Sequence, residues 1–224
     1  MVGGVRDHLI DIAERVAASR GVAAMTLRDV QVESGQRNKS VVQYYFGSRA
    51  GLIEAILESR MGAINVRRLE LFDGLGDTPQ LRDLVEVLIV PLADATIRQR
   101  GTYWARFLLQ GTFDPTLSDL VRASFAASSY RAVRRLLMNA LDGLPVQARR
   151  HRVDRLVEFM LVSLASAEEA RDRGQMAGSA VDRYVADLLD ISCAILTAPS
   201  SWAVGGGEEL ASSNADRSHS GRGD

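Results

Sequence analysis

The sequence predicts an all-α protein of about nine helices, and three observations predict it. Apolar residues recur three and four positions apart along most of the chain. No stretch shows the apolar–polar alternation of a half-buried strand. Hydrophobic residues make up 46% of the 224, with Ala, Leu, Val and Arg abundant. A chain of this length holds one or two compact domains with a sizeable core.

The first helix spans about Val5 to Arg20, where Leu9, Ile12, Ala13, Val16 and Ala17 form one face and Gly21 supplies a stop. In a second, short helix Thr26 is the N-cap, Asp29 stands in the capping-box position, Leu27 and Val30 share a face, and Gly35 ends it. After a polar turn, Asn38 or Ser40 caps a third helix running to about Tyr45. Its Val42 and Phe46 point inward, while Lys39, Ser40, Gln43 and Tyr44 stay outside. Ser48 caps a fourth helix to about Phe72, with Leu52, Ile53, Ile56, Leu57 and Ile64 apolar, and the run Asp73 to Pro79 breaks the pattern. The fifth helix carries Leu81, Leu84, Val85, Leu88 and Leu92, with a kink expected at Pro91. A short sixth helix, about Thr102 to Gln110, contains Tyr103, Trp104 and Phe107. Asp114-Pro115 opens a long seventh, about Thr116 to Leu141. Pro145 starts the eighth, which runs to about Arg173, and a ninth follows Gly178 and carries Val181, Tyr184, Val185, Leu188, Leu189 and Ile195. From Pro199 the chain is rich in Gly, Ser and Asp and reads as a disordered tail.

Two short helices around a tight turn, exposing amide, hydroxyl and basic groups, suit the reading of a DNA major groove. Charge agrees. Gln36 to Ala50 holds three cations and no acid in a chain of net charge −1, and Lys39 is the only lysine. Bulk polyanion binding is therefore not expected, and any nucleic-acid contact comes from this local patch.

These residues resemble the tetracycline-repressor-like (TetR) one-component regulators. The resemblance rests on Thr26-Leu27-Arg28-Asp29-Val30, Ser34-Gly35, Val42-Gln43-Tyr44-Tyr45-Phe46 and Ser48-Arg49, and at motif level it covers roughly residues 5–60. Three positions depart from the family pattern: a turn Gln36-Arg37-Asn38 that looks one residue longer, Gln43 for an aromatic, and Arg49 for a lysine. The resemblance implies a DNA-binding head at residues 1–46, an effector-binding and dimerisation body at 47–198, and a tail at 199–224. Gln43 and Lys39 are the candidates for base edges, an amide suiting adenine and a lysine guanine. Thr26, Arg28, Arg37, Asn38, Ser40, Tyr44, Tyr45 and Arg49 would hold phosphates and fix register, with Tyr45 partly core.

The family's effector site implies a cavity in the body, for which Tyr103, Trp104, Phe107, Phe125, Met138, Phe159 and Met160 are the aromatic and sulfur candidates. Ordinary core packing is the other reading of each. Arg106, Gln110 and Thr112 are near enough in sequence to serve as polar anchors. The last two helices are very apolar for the exterior of a monomer, so Val157, Leu161, Leu164, Val181, Tyr184, Val185 and Leu188 are expected at a two-fold homodimer interface.

An enzyme is not expected. The three histidines are scattered, and there is no H-E-x-x-H, G-x-S-x-G, Walker loop, paired metal-spaced cysteines or Glu-x-x-His. Glu168-Glu169 reads as a solvated charge pair, and no cofactor is implied. A single cysteine fits a reducing, cytoplasmic compartment, and no apolar run reaches membrane-spanning length. The expected function is a transcriptional regulator, a repressor that binds double-stranded palindromic operator DNA as a homodimer and is released by a small hydrophobic or amphipathic effector. The alternative is a helical homodimeric interaction protein with weak or no specific DNA binding, and retention on DNA at moderate salt separates the two.

Overall fold

The computed structural model describes residues 4–38, 40–125 and 128–200. Among these residues it is all-helical, without strands. The ten helices are α1 (Val5–Arg20), α2 (Leu27–Glu33), α3 (Val41–Phe46), α4 (Arg49–Asp73), α5 (Leu81–Ala95), α6 (Trp104–Phe113), α7 (Ser118–Ser124), α8 (Ser128–Ala140), α9 (Val146–Asp172) and α10 (Ser179–Thr197). The tail expected from Pro199 falls almost wholly outside the described residues, as does Lys39.

Local chemistry sets the starts of α2 and α4. Thr26 Oγ1 accepts from the Asp29 amide at 3.1 Å while the Asp29 carboxylate accepts from the Thr26 amide at 3.0 Å, so the capping box is closed. That bonding to Thr26 holds the Asp29 carboxyl below the usual carboxylate range. Ser48 Oγ accepts from the Gly51 amide at 3.0 Å and starts α4. Gly51 must be glycine for a separate reason: a Cβ there would lie 2.2 Å from the Phe46 carbonyl oxygen. The end of α3 is thereby pressed directly onto the first turn of α4. Between them Gly47 takes φ +67°, a left-handed conformation that glycine adopts freely.

One expected helix is two. The stretch read as a single helix from Thr116 to Leu141 divides into α7 and α8, and Ser124 Oγ donates back to the Val121 carbonyl at 2.7 Å as α7 ends. The reason is geometric. Leu117, Val121, Phe125, Ser129, Val133, Leu137 and Leu141 are all buried and lie four residues apart. On a straight helix each four-residue step drifts about 40°, so such a row would wind most of the way round the cylinder. Breaking the helix keeps both halves of the row on the core. Pro91, expected to kink its helix, is buried inside α5, which continues as one helix to Ala95.

A single continuous apolar core runs through head and body. In the body, α5 packs against α4, α8 and α10, and α6 lies along α9. At 25 residues, α4 is roughly 37 Å long and belongs to both halves. Two polar joints tie the head to its surroundings. Arg60 of α4 forms a two-pronged pair with Glu14 of α1, Nε to Oε1 at 2.5 Å and Nη2 to Oε2 at 3.1 Å. Burial pushes the Glu14 carboxyl up to about 7, against the pull of Arg60. At the turn after α1, the Val22 amide donates to Gln110 Oε1 of α6 at 2.8 Å, and the Val22 carbonyl accepts from Arg49 Nη2 of α4, also at 2.8 Å. Among the described residues no helix is long and apolar enough to cross a membrane.

Candidate nucleic-acid interface and body cavity

The turn between α2 and α3 is held from inside by Gln31. Its Nε2 donates to the Gln36 carbonyl at 3.2 Å and its Oε1 accepts from the Val42 amide at 3.4 Å. Asn38 Oδ1 accepts from the Ser40 amide at 3.0 Å and turns the chain into α3. Val42 and Phe46 are buried beneath. The outward surface then presents Thr26, Arg28, Arg37, Asn38, Ser40, Gln43 and Tyr44, all exposed. Tyr44 is 80% exposed and Tyr45 40%, their rings edge to face at 5.4 Å between centroids. Tyr44 is thus available to a partner, and Tyr45 also packs against Phe46.

Two of the candidate contacts already have partners within the protein. The Gln43 side-chain amide donates to the Gly47 carbonyl at the end of its own helix, leaving Oε1 as the outward acceptor. Arg49 binds the backbone rather than projecting freely: Nε donates to the Met25 carbonyl at 3.0 Å and Nη2 to the Val22 and Ala23 carbonyls. It clamps the turn between α1 and α2. Arg28 and Arg37 form no ion pair among the described residues, so their charge faces solvent. An open groove between α2 and α3, lined by Leu27, Arg28, Gln31, Val32, Gln36 and Gln43, continues this surface.

In the body the aromatic candidates separate. Trp104, Phe107 and Met160 are fully buried, and the Trp104 and Phe107 rings stack at 5.5 Å. Tyr103 lies under the Arg106 guanidinium, 4.7 Å from its ring centroid, and Met138 and Phe159 are half-buried against the core. Phe125 lines a mainly apolar cavity of about 380 Å³ together with Thr112, Val121, Tyr130, Val157 and Leu161, between α6, α7, α8 and α9, with the exposed Arg122, Arg131 and Asp154 also at its lining. Of the three polar anchors considered, Thr112 is at this cavity, Gln110 holds Val22, and Arg106 pairs with acids on α9. Tyr130, absent from the sequence candidates, forms one wall of the cavity with its ring 5.9 Å from that of Phe125.

Glu168 is not a solvated charge. It is 3% exposed and accepts four bonds at the start of α6. Thr102 Oγ1 donates at 3.0 Å and the Ala105 amide at 3.1 Å to one oxygen. The Arg106 amide at 3.1 Å and Arg106 Nε at 3.2 Å donate to the other. Burial raises this carboxyl above the usual range, opposed by the backbone donors of Arg106 and Ala105. The sequence signal was available: Glu168 falls four residues after Leu164, on the buried stripe of α9.

The residues expected at a dimer interface sit mostly in the chain's own core. Leu161, Leu164, Val181, Val185 and Leu188 are buried within the single chain, and Val157 and Tyr184 are half-buried. Tyr184 donates its hydroxyl to the Ser163 carbonyl at 2.8 Å and so ties α10 to α9. The large apolar groups left facing outward on this helix pair are Val146 at the start of α9, Val162 and Ile191, with Phe159 and Ile195 half-exposed.

Among the described residues the architecture is one of ten packed helices. Among solved structures it is similar to the fatty acid degradation regulator FadR from Bacillus halodurans, with a TM-score of 0.56 over 88% of this chain and 96% of that one. Sequence identity is 12%, so what the two share is the fold. No family model and no curated protein sequence matches the chain.

Proposed function

We propose that this protein is a DNA-binding transcriptional regulator of the tetracycline-repressor type, a repressor that binds a palindromic operator as a homodimer. The observation that carries the reading is the head: a capped helix, a turn fixed by Gln31, and a second helix presenting Ser40, Gln43 and Tyr44 beside unpaired Arg28 and Arg37. A solvated surface has no need of this combination, whereas α3 in the major groove places an amide at base edges and cations and hydroxyls at phosphates. Residues 1–46 form the DNA-binding head and 47–198 the regulatory body, joined by α4.

The homodimer forms through the outer faces of α9 and α10, with Phe159, Val162, Ile191 and Ile195 at its centre and the buried stripe behind them as support. A small hydrophobic or amphipathic effector occupies the cavity at Phe125 and Tyr130, whose volume lies within the range of ordinary ligand sites. It releases DNA by favouring one of two arrangements of α4 and the heads.

Selection from random double-stranded DNA tests the reading. A two-fold site should emerge with half-site centres about one helical turn apart, or a multiple of it. Equal affinity for all sequences would reject it in favour of the helical interaction protein. Light scattering at micromolar concentration should give twice the chain mass.

A further inference from the structure

Arg68 is neither on the outward face of α3 nor among the residues that line the cavity, and its surroundings ask for a role. It sits on α4 at 0% exposure. One terminal nitrogen donates to Asn65 Oδ1 at 2.7 Å, while Nε and Nη2 find no acceptor among the described residues. No carboxylate pairs with it there. Burial lowers its pKa only to about 10, so it remains a cation at neutral pH. A buried guanidinium without a counter-ion is a net cost to folding, and a long apolar side chain would fill the same space without that cost.

Tyr130 stands beside this guanidinium. The guanidinium carbon lies 6.0 Å from the centroid of the Tyr130 ring. That same ring is a wall of the apolar cavity, packed beside Phe125. Tyr130 therefore stands both at the apolar cavity and beside the Arg68 guanidinium, whose Nε and Nη2 find no acceptor among the described residues. Beside them, Ser129 Oγ donates to Asn65 Oδ1 at 3.3 Å, so the surroundings of the guanidinium are partly polar.

We propose that Arg68 is the anion-binding end of the effector cavity, and that the effector is an amphipathic acid: one carboxylate or comparable oxyanion on an apolar body. This rests on the effector reading of the cavity given above. The apolar body lies among Val121, Phe125, Val157 and Leu161. A turn of the Tyr130 side chain opens the way for the head group. Nε and Nη2 point side by side along one edge of the guanidinium, the geometry that grips an oxyanion with two parallel bonds. A neutral molecule of equal length would fill the cavity and leave both donors unpaired. The charge that is neutralised belongs to α4, whose first turn abuts the reading helix, so an acid acts on the element that carries the head.

The test titrates the full chain by calorimetry with straight-chain acids from hexanoate to dodecanoate and with phenylbutyrate, each against its matching alcohol. At least one acid should bind, and at least about tenfold more tightly than its alcohol. Arg68→Met should abolish that preference, whereas Arg122→Met, at the exposed rim of the cavity, should keep it. Without ligand, Arg68→Met should also raise the melting temperature by roughly 2–4 °C, the shift expected for about 1 kcal/mol in a chain of this size. Four results would each overturn the proposal: no acid binds, alcohols bind as well as acids, Arg68→Met retains the preference, or Arg68→Met melts lower than wild type. Operator affinity, measured in parallel, separates the two claims. Acids that fail to bind a protein that still holds its DNA remove the acid site alone. Acids that bind through Arg68 and leave DNA affinity unchanged keep the acid site and remove its regulatory role.

Discussion

Glu168→Gln is the substitution that probes the body most sharply. The native carboxylate gives two acceptor oxygens, each taking two donors at 3.0–3.2 Å: Thr102 and Ala105 on one, Arg106 twice on the other. Glutamine keeps the shape, but one oxygen becomes an NH₂ group facing two donors. Two bonds to a charged acceptor are lost, at about 1.5–3 kcal/mol each. The Arg106 side chain, 17% exposed, also loses its nearest counter-charge and keeps only Asp172 at 3.3 Å. A total loss of about 3–5 kcal/mol follows, in line with breaking a buried pair from one side. Urea denaturation at pH 7 would report it as a lower midpoint at unchanged slope. Thermal melts should fall by roughly 10 °C. A loss below about 1 kcal/mol would refute the view that Glu168 caps α6 and place the carboxylate in solvent-like surroundings.

Three further substitutions address other parts of the molecule. Gln43→Ala should cost roughly 1–3 kcal/mol at one operator position and relax preference there, which competition binding against singly substituted operators would show. Weakening that is uniform across all sites would make Gln43 a positioning residue. Glu14 carries a pH signature: its carboxyl stands at about 7 when folded against 4.5 ordinarily, so folding takes up a proton. The associated stability is fully present below about pH 4.5, declines as pH rises towards 7 and is gone above it, a change of at most about 3 kcal/mol. The difference in urea midpoint between wild type and Glu14→Gln, followed from pH 5 to 8, should therefore shift by that amount; a flat difference refutes it. Gly51→Ala would set a Cβ 2.2 Å from the Phe46 carbonyl, a backbone atom that cannot move aside alone. It should destabilise by roughly 1–3 kcal/mol and loosen α3, seen as faster amide exchange from Val42 to Phe46.

The head was legible because its determinants are close in sequence. Thr26 and Asp29, Asn38 and Ser40, Ser48 and Gly51 each act within a single turn, so spacing alone reveals them. Gln31 was missed, although as the fourth residue after Leu27 it faces α3 and its amide fits two backbone groups. The break between α7 and α8 was hidden by regularity: an unbroken row of residues four apart reads as one helix, and only the drift of such a row round a straight helix forbids it. In the body, residue chemistry was a poor guide to position. Trp104 and Phe107 have the composition of a ligand wall, but whether they face a space depends on how α6 rotates against α9, and that is fixed by Glu168, 60 residues and more away in the chain. Arg68 and Tyr130 meet only when α4 and α8 pack, and nothing local to either marks the encounter.

The bond between Val22 and Gln110 has a consequence for observation as much as for mechanism. The proton belongs to the turn that leads into α2, and its acceptor belongs to α6. Any swivel of α2 and α3 away from α6 must lengthen this contact, while the Arg49 clamp on the carbonyl of the same residue travels with α4. A single amide proton thereby acts as a gauge of orientation. Its exchange rate with solvent deuterium, compared between protein alone, protein on DNA and protein with a candidate ligand, would read the tilt of the head at one atom.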